Sequence, residues 1–558
     1  MHHAGVGYVP LACRLRVGIT GGIILRDGGH NFFSRAVDCL VARKTRAMRS
    51  LLALISGGAI ITCLAIIAQS QTAQALPSFA RQTGQPCGTC HTDFPGLTPY
   101  GRKFKILGYT VGGGPFKTTP FTLFPQVREY KKDPLDLYAD TNAAKLPSTD
   151  GAGQSNIWVP PISLMTIIGY THSQATLAPP CSPFPCNDVL TDAPSSVFYG
   201  GAITEHIGAF AQVTYSGLKV PSTTFPIDPF STFQWSWDNT DVRYANTARV
   251  AGLDVIFGIT ANNNPSVQDP WNTTPAWTFP YAVSPAPNFG GFGPGTLIDS
   301  SLAAHVAGVG AYAFINDLLY LELTGYKSVN WNTQTKLGVD PFGVGVISGV
   351  APYWRIAFEP HWGNHWFEFG AYGMSAQLQQ WDTSQADSNG FQIPVFIPGA
   401  DRFTDTAFDA QYQYQGSNYW FTLRGTYIYE YQQLNASFNN PVGALSANPT
   451  NTLNTFRGLA SLAYGNDNRF VFTAQYFNTW GSSDTILFST NPGCACSPNT
   501  NGYIFEIAYT PFVSSRAPIW PWANMRIGLQ YTYYNEFNGD TVFAHDNNLL
   551  FAYIWFAM

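Results

Sequence analysis

Cys87, Cys90 and His91 stand in C-x-x-C-H spacing within the stretch QPCGTCHTDFPGLTPYGRKFKILGYT, residues 85–110. Two thiols at that spacing can form thioether bonds to the vinyl groups of a porphyrin, while the adjacent imidazole falls against the iron as proximal ligand. A redox C-x-x-C disulfide or half of a zinc site would use the same cysteines, but neither accounts for a histidine directly after the second one. One covalent haem c is therefore the expected cofactor, bound by Cys87, Cys90 and His91, with His91 on the iron.

The other side of the iron is open at this stage. From Thr92 to Ile157 the chain has neither Met nor His, so the two usual partners of a cytochrome haem are missing locally. Either the iron is five-coordinate, or an unusual donor such as Tyr or an amine binds, or the ligand comes from further along. His172 is the foremost distal candidate, with His305 and Met165 behind it; His206, His361 and His365 are expected in turns. Arg102, Lys103 and Lys105 are expected to pair with haem propionates or with acidic groups on the surrounding wall; the plain alternative is a solvated helix face.

What surrounds this segment is unlike a soluble enzyme. Charged residues make up 11% of the 558 and aromatics 15%, where soluble domains average about 25% charged. A formal charge of -5 leaves no basic footprint for nucleic acid. Beyond residue 75 no apolar run reaches the roughly 18 residues of a membrane helix. Aromatic, glycine-rich, poorly charged chains of this kind suit a transmembrane β-barrel, whose strands need only alternate apolar and polar positions.

Residues 1–75 are expected to be a leader absent from the mature protein, with a signal peptide within 48–75. Arg49 precedes an apolar core, and Ala73-Gln74-Ala75 forms an A-x-A cleavage site. Cleavage leaves Cys181, Cys186, Cys494 and Cys496 besides the motif pair, expected as loop-stapling disulfides in an oxidising compartment.

From residue 158 the sequence falls into alternating segments. In NYWFTLRGTYIYEY, Tyr419, Phe421, Leu423, Tyr427, Tyr429 and Tyr431 share one parity, and Thr422, Arg424, Thr426 and Glu430 share the other. Short links at EHIG, AGLD, FIND, HWGNHW, QGSN and GNDN alternate with long Pro-, Asn- and Ser-rich stretches near 172–195, 263–300, 330–346, 377–402, 433–452 and 481–501. Short periplasmic turns and long outer loops are the rhythm of an outer-membrane barrel. The expected fold is thus all-β: about sixteen antiparallel strands over 158–558, a cytochrome segment at 76–115 forming a small monohaem plug, and a linker or plug portion at 116–157.

The stretch LPSFARQTGQPCGTCHTDFPGLTPYGRKFKILGYT resembles the N-terminal segment of the fused cytochrome–porins of the bacterial outer membrane, a group that includes iron-oxidising c-type cytochromes. The shared features are S-F-A-R-Q-T-G before the motif, F-P-x-L-x-x-Y-G-R-x-F-K after it, and a G-Y-T ending. The resemblance implies a single haem in a plug inside the barrel, taking electrons from extracellular Fe(II) and passing them to periplasmic carriers, a cytochrome or a copper protein. Cys87, Cys90 and His91 carry over; the choice of donor does not.

Three functions follow as expectations. The first is an outer-membrane electron conduit, an Fe(II):cytochrome c oxidoreductase-like redox protein in contact with lipid, an extracellular donor and a periplasmic acceptor. A porin-like channel with a haem-bearing plug is the second, and extracellular electron transfer with a partner other than iron is a variant of the first. A haem peroxidase ranks third, because no distal His or Arg can be placed in the motif segment.

Overall fold

The computed structural model describes residues 76–83, 85–110, 161–175, 188–215, 235–284, 291–382, 395–465, 468–489, 495–514 and 516–558, without the side chains of 188–194 and 300. The leader, the signal peptide and the 116–157 linker lie outside the described residues, as do Cys181, Cys186 and Cys494; Cys496 is held in a disulfide.

Alternation builds one sheet of eighteen strands, of which Val346–Ile347 and His361–Trp362 are two-residue pieces and sixteen form the wall. The first eight are β1 (Ile162–Ser173), β2 (Asp188–Ala202), β3 (Ile207–Tyr215), β4 (Trp235–Val250), β5 (Leu253–Asn262), β6 (Val306–Ile315), β7 (Leu319–Ser328) and β8 (Ala351–Phe358). The second eight are β9 (His365–Gln379), β10 (Asp401–Gln415), β11 (Tyr419–Gln433), β12 (Thr450–Tyr464), β13 (Phe470–Gly481), β14 (Thr500–Tyr509), β15 (Asn524–Glu536) and β16 (Leu549–Ala557). Each pairs antiparallel with its neighbour in sequence, and β16 returns to β1 through Met165↔Ala557 to Ser173↔Leu549, which closes the wall.

Parity assigns the two faces. On β14 Tyr503, Phe505, Ile507 and Tyr509 are exposed on the outside while Ile504, Glu506 and Ala508 are buried inside. On β11 the outward row is Tyr429, Tyr431 and Leu423, and the inward row is Thr422, Arg424, Thr426 and Glu430. A closed wall has no unpaired edge, so its backbone tolerates hydrocarbon, and an exterior of Leu, Ile, Phe and Tyr is solvated by lipid. The barrel spans an outer membrane.

The short links sit at one end. Between β4 and β5 the turn is only Ala251 and Gly252, with φ of 51° and 84°, the left-handed pair that a two-residue hairpin of matching twist requires. The first long loop is corrected. That stretch is shorter than 172–195, because β1 runs to Ser173 and β2 begins at Asp188; Pro194, Ser195 and Ser196 of β2 made it look like a loop.

A larger correction concerns 263–300, expected wholly as an outer loop. Residues 263–282 fold into the lumen and are almost all buried, including Trp271, Trp277, Phe279 and Tyr281. Polar inward rows hold this loop in place. Arg424 Nη1 of β11 donates to the Asn272 carbonyl at 2.7 Å and Arg355 Nη2 of β8 lies 3.3 Å from Asp269 Oδ1. Gln475 Nε2 of β13 donates to the Phe279 carbonyl at 3.0 Å.

Candidate functional site

The motif segment forms three short helices: α1 (Pro77–Thr83), α2 (Cys87–Cys90) and α3 (Pro99–Ile106). The single turn of α2 closes with the His91 amide donating to the Cys87 carbonyl at 3.0 Å. One turn thus gathers both thiols and delivers the imidazole at its end. Thr98 caps α3 by accepting from the Gly101 amide at 3.2 Å, and Pro99 follows where its missing N–H costs nothing. Gly101 permits the approach of α3 to α2, since a Cβ there would lie 2.2 Å from the Cys90 carbonyl oxygen.

Side chains on many strands receive this segment at the short-turn end. Arg81 Nη2 donates to the Ile162 carbonyl at 2.5 Å, and Gln82 Nε2 to the Gly200 carbonyl at 2.7 Å, which sets α1 against the ends of β1 and β2. Arg102 pairs with Glu359, just past β8, and its Nη1 donates to Gln413 Oε1 at 2.5 Å; Lys103 Nζ meets Asp317 Oδ2 at 3.1 Å. Of the alternatives open in the sequence, these two cations follow the acidic groups on the wall. The His91 carbonyl accepts from Asn468 Nδ2 at 2.9 Å and the Phe94 carbonyl from Arg526 Nη1 at 2.5 Å.

Lys105 takes a different course. Its Nζ donates to the carbonyls of Val267 at 2.8 Å and Asp269 at 2.6 Å and to Asn272 Oδ1 at 3.0 Å, all in the inward loop, and lies 3.9 Å from the centre of the Trp277 ring. Asn272 Nδ2 in turn donates to the Pro95 carbonyl at 3.3 Å. Motif segment and inward loop therefore face each other across the lumen and share polar contacts.

Between them is a cavity, partly open to solvent, that both segments line. Cys87, Cys90 and His91 line one part of it; Leu76, Phe79, Phe104, Tyr109, Phe210 and Trp277 supply apolar walls; Lys105 of α3 and Asn272 of the loop add polar groups. The two thiols are not joined in a disulfide. His91 Nδ1 lies 3.2 Å from the Gly96 carbonyl, and since a carbonyl can only accept, Nδ1 carries the proton and Nε2 the lone pair. Burial in the surrounding protein pulls the imidazole down to about 4, against opposing hydrogen bonds to Gly96 and Pro95, so the ring is neutral at ordinary pH, as a metal ligand must be. Burial and then the neighbouring Cys87 push the Cys90 thiol up to about 12. Both side chains keep some surface of their own, because they border the cavity.

The chemistry of this donor set and lining is that of a c-type haem site: two thiols on one turn, a neutral imidazole with a directed lone pair, and mostly apolar walls. Among the described residues, no group of three or more His, Cys, Asp or Glu side chains is placed to hold a bare metal ion.

The expected distal ligand is corrected. His172 lies at the end of β1 remote from Ile162 and Ser163, which α1 touches, and its side chain is exposed on the outer face between the inward-facing Thr171 and Ser173. Nothing brings it to His91. His305 is buried before β6, at the long-loop end, with Nδ1 2.8 Å from Gln334 Oε1. Met165 faces inward within the apolar cluster that contains Leu76, Tyr109 and Phe210, but it does not line the cavity. Sequence reasoning missed Trp277 and Asn272; the signal was an outer loop carrying Trp271, Trp277, Phe279 and Tyr281 in eleven positions, 271–281.

No family model and no curated protein matches the chain. Among solved structures it is similar to a loop-deleted OmpT, an outer membrane protein of Vibrio cholerae, at 8% identity over 71% of this chain and 98% of that one, with a TM-score of 0.37. Salmonella typhi OmpF, solved in complex with daunomycin, shows 12% identity over 71% and 97%, with a TM-score of 0.37. An anion-selective porin from Comamonas acidovorans shows 10% over 71% and 98%, again with a TM-score of 0.37.

Proposed function

We propose that this protein is an outer-membrane electron conduit, in which one c-type haem in a lumenal plug accepts electrons from an extracellular donor and a periplasmic carrier takes them away. The carrying observation is the placement of Cys87, Cys90 and His91 on one apolar cavity whose opposite wall, Asn272 and Trp277, belongs to a loop entering from the outer end. Bound there, the haem would supply a one-electron couple, Fe(III) to Fe(II) and back.

The chain's own residues do the rest. Cys87 and Cys90 would hold the porphyrin through thioether bonds, each S–H adding across a vinyl group with no atom lost, and His91 would offer Nε2 to the iron. Phe79, Phe104 and Phe210 exclude water, and the segment's hydrogen bonds to β1, β2, β10 and β15 fix its position. Fe(II) is the proposed donor: it loses one electron per event and becomes Fe(III), while a soluble periplasmic cytochrome or copper protein is reduced. Two segments buried within the lumen, the motif segment from one end and the inward loop from the other, support this reading over a passive porin.

Purified protein in detergent, stained for covalent porphyrin and mixed anaerobically with Fe(II), tests this. Haem bands that reduce with Fe(II) in wild type, and are altered or absent in His91→Ala, are the expected result. Bands that answer to dithionite but not to Fe(II) across pH 2 to 7 would remove iron as donor; no covalent porphyrin would remove the conduit. Solute conductance indifferent to loss of Cys87 and Cys90 would favour the channel.

A further inference from the structure

The cavity wall carries a charged residue with no functional role so far, Lys105. It is 3% exposed, and a lysine so buried requires compensation. Val267 O, Asp269 O and Asn272 Oδ1 are all acceptors toward it, at 2.8, 2.6 and 3.0 Å. A neutral amine has two N–H donors and an ammonium has three, so the full set of acceptors calls for the charged form. The Trp277 face 3.9 Å away adds a fourth favourable partner. Burial and, after it, the Arg243 guanidinium pull the group's pKa well below the usual lysine value, only partly opposed by Asp269, Asp241 and Glu322; it is the three acceptors and the Trp277 face that favour the ammonium.

The nearby carboxylates are engaged elsewhere. Asp269 faces Arg355 at 3.3 Å and accepts from the Thr273 amide at 2.8 Å; Asp241 accepts from Arg243 Nε at 2.7 Å; Glu322 accepts from Gln268 Nε2 at 2.8 Å. Lys105 meets Asp269 only through its backbone carbonyl. Its charge is thus solvated by neutral oxygens, and it borders the cavity shared by Cys87, Cys90 and His91.

We propose that Lys105 is a positioning residue that sets the reduction potential of the site: a fixed positive charge on the cavity wall that favours the electron-rich state of a bound haem and so makes the site a better acceptor. This rests on the haem reading above. Taking up one electron lowers the net charge of the site by one, and a cation held in a poorly solvating interior stabilises that change. The same ammonium joins the inward loop to the motif segment, so one residue couples the loop's position to the ease of reduction.

Redox titration of the haem bands in the full-length protein tests this. Lys105→Met removes the charge; Asn272→Asp leaves the ammonium and sets a carboxylate against it, should the first variant fail to fold. Each is expected to lower the reduction equilibrium about tenfold, 59 mV for one electron, with the absorption maxima unmoved. Potentials equal to wild type in the folded variants overturn the proposal, as does a change of axial-ligand bands in Lys105→Met, which would make the lysine a ligand. Wild type without covalent porphyrin removes the conduit and this inference together, whereas porphyrin present with an unmoved potential removes only the inference.

Discussion

Asn272 Nδ2 donates to the Pro95 carbonyl at 3.3 Å, a hydrogen bond spanning 177 positions between a loop from the outer end of the barrel and the turn that follows His91. The same side chain accepts from Lys105. The two segments thus form one body in the lumen, so disturbing either should be felt at the Cys87–Cys90 turn.

Gly101→Ala tests how tightly that turn is packed. Its Cβ would fall 2.2 Å from the Cys90 carbonyl oxygen, a backbone atom that cannot swing away, so α3 must shift. A loss of about 1–3 kcal/mol is expected, as for overpacking in general, read as faster tryptic cleavage after Arg102 and Lys103. Cleavage at the wild-type rate would mean that the contact yields freely.

Arg102→Met leaves Glu359 buried, with Trp271 Nε1 at 2.6 Å as a remaining donor. Removing one member of a buried pair costs about 3–5 kcal/mol. The expected outcome is a motif segment open to protease in a barrel that still resists heat on a gel. Arg102→Met with Glu359→Gln should regain part of the loss, since no unpaired charge is then buried.

His172→Ala should leave the spectrum of the proposed haem as it is. The side chain faces outward on β1, and a shifted low-spin band in this variant would contradict that placement.

Acid should loosen the outer loops late. Burial alone would raise the Asp484 carboxyl, but hydrogen bonds from Ser446, Leu487, Ala447 and Asn451 outweigh it and hold it down at about 2. A depressed folded pKa means that the stabilisation is complete above the ordinary carboxylate range near 3.8 and is lost as pH falls through about 2. Limited proteolysis with an acid protease should find the 482–489 segment protected at pH 4 and cut more readily below pH 2, while Asp484→Asn should be equally sensitive at both.

The wall was legible because its signal is local. Parity along β11 and β14 and turn residues such as Ala251-Gly252 report on neighbours a few positions away. His172 shares parity with Ile168 and Tyr170, which stand outside, so the same rule already spoke against it as a lumenal ligand. By contrast, the inward loop is held by Arg355, Arg424 and Gln475, from strands far along the chain. A stretch such as NNNPSVQDPWNTTPAW reads as an outer loop until those partners are known, and only its tryptophans betray burial. Lys105 was legible as a cation needing partners, but not as one whose partners are loop carbonyls.

Closure of the wall between β1 and β16 constrains the order of maturation. β16 follows every other wall strand in the chain, and the motif segment is held by residues as late as Arg526 and by the β12–β13 turn. Were a porphyrin joined to Cys87 and Cys90, as proposed, joining it before the wall closes would leave both thiols fully open to the attaching machinery; afterwards they keep only the surface that borders the cavity.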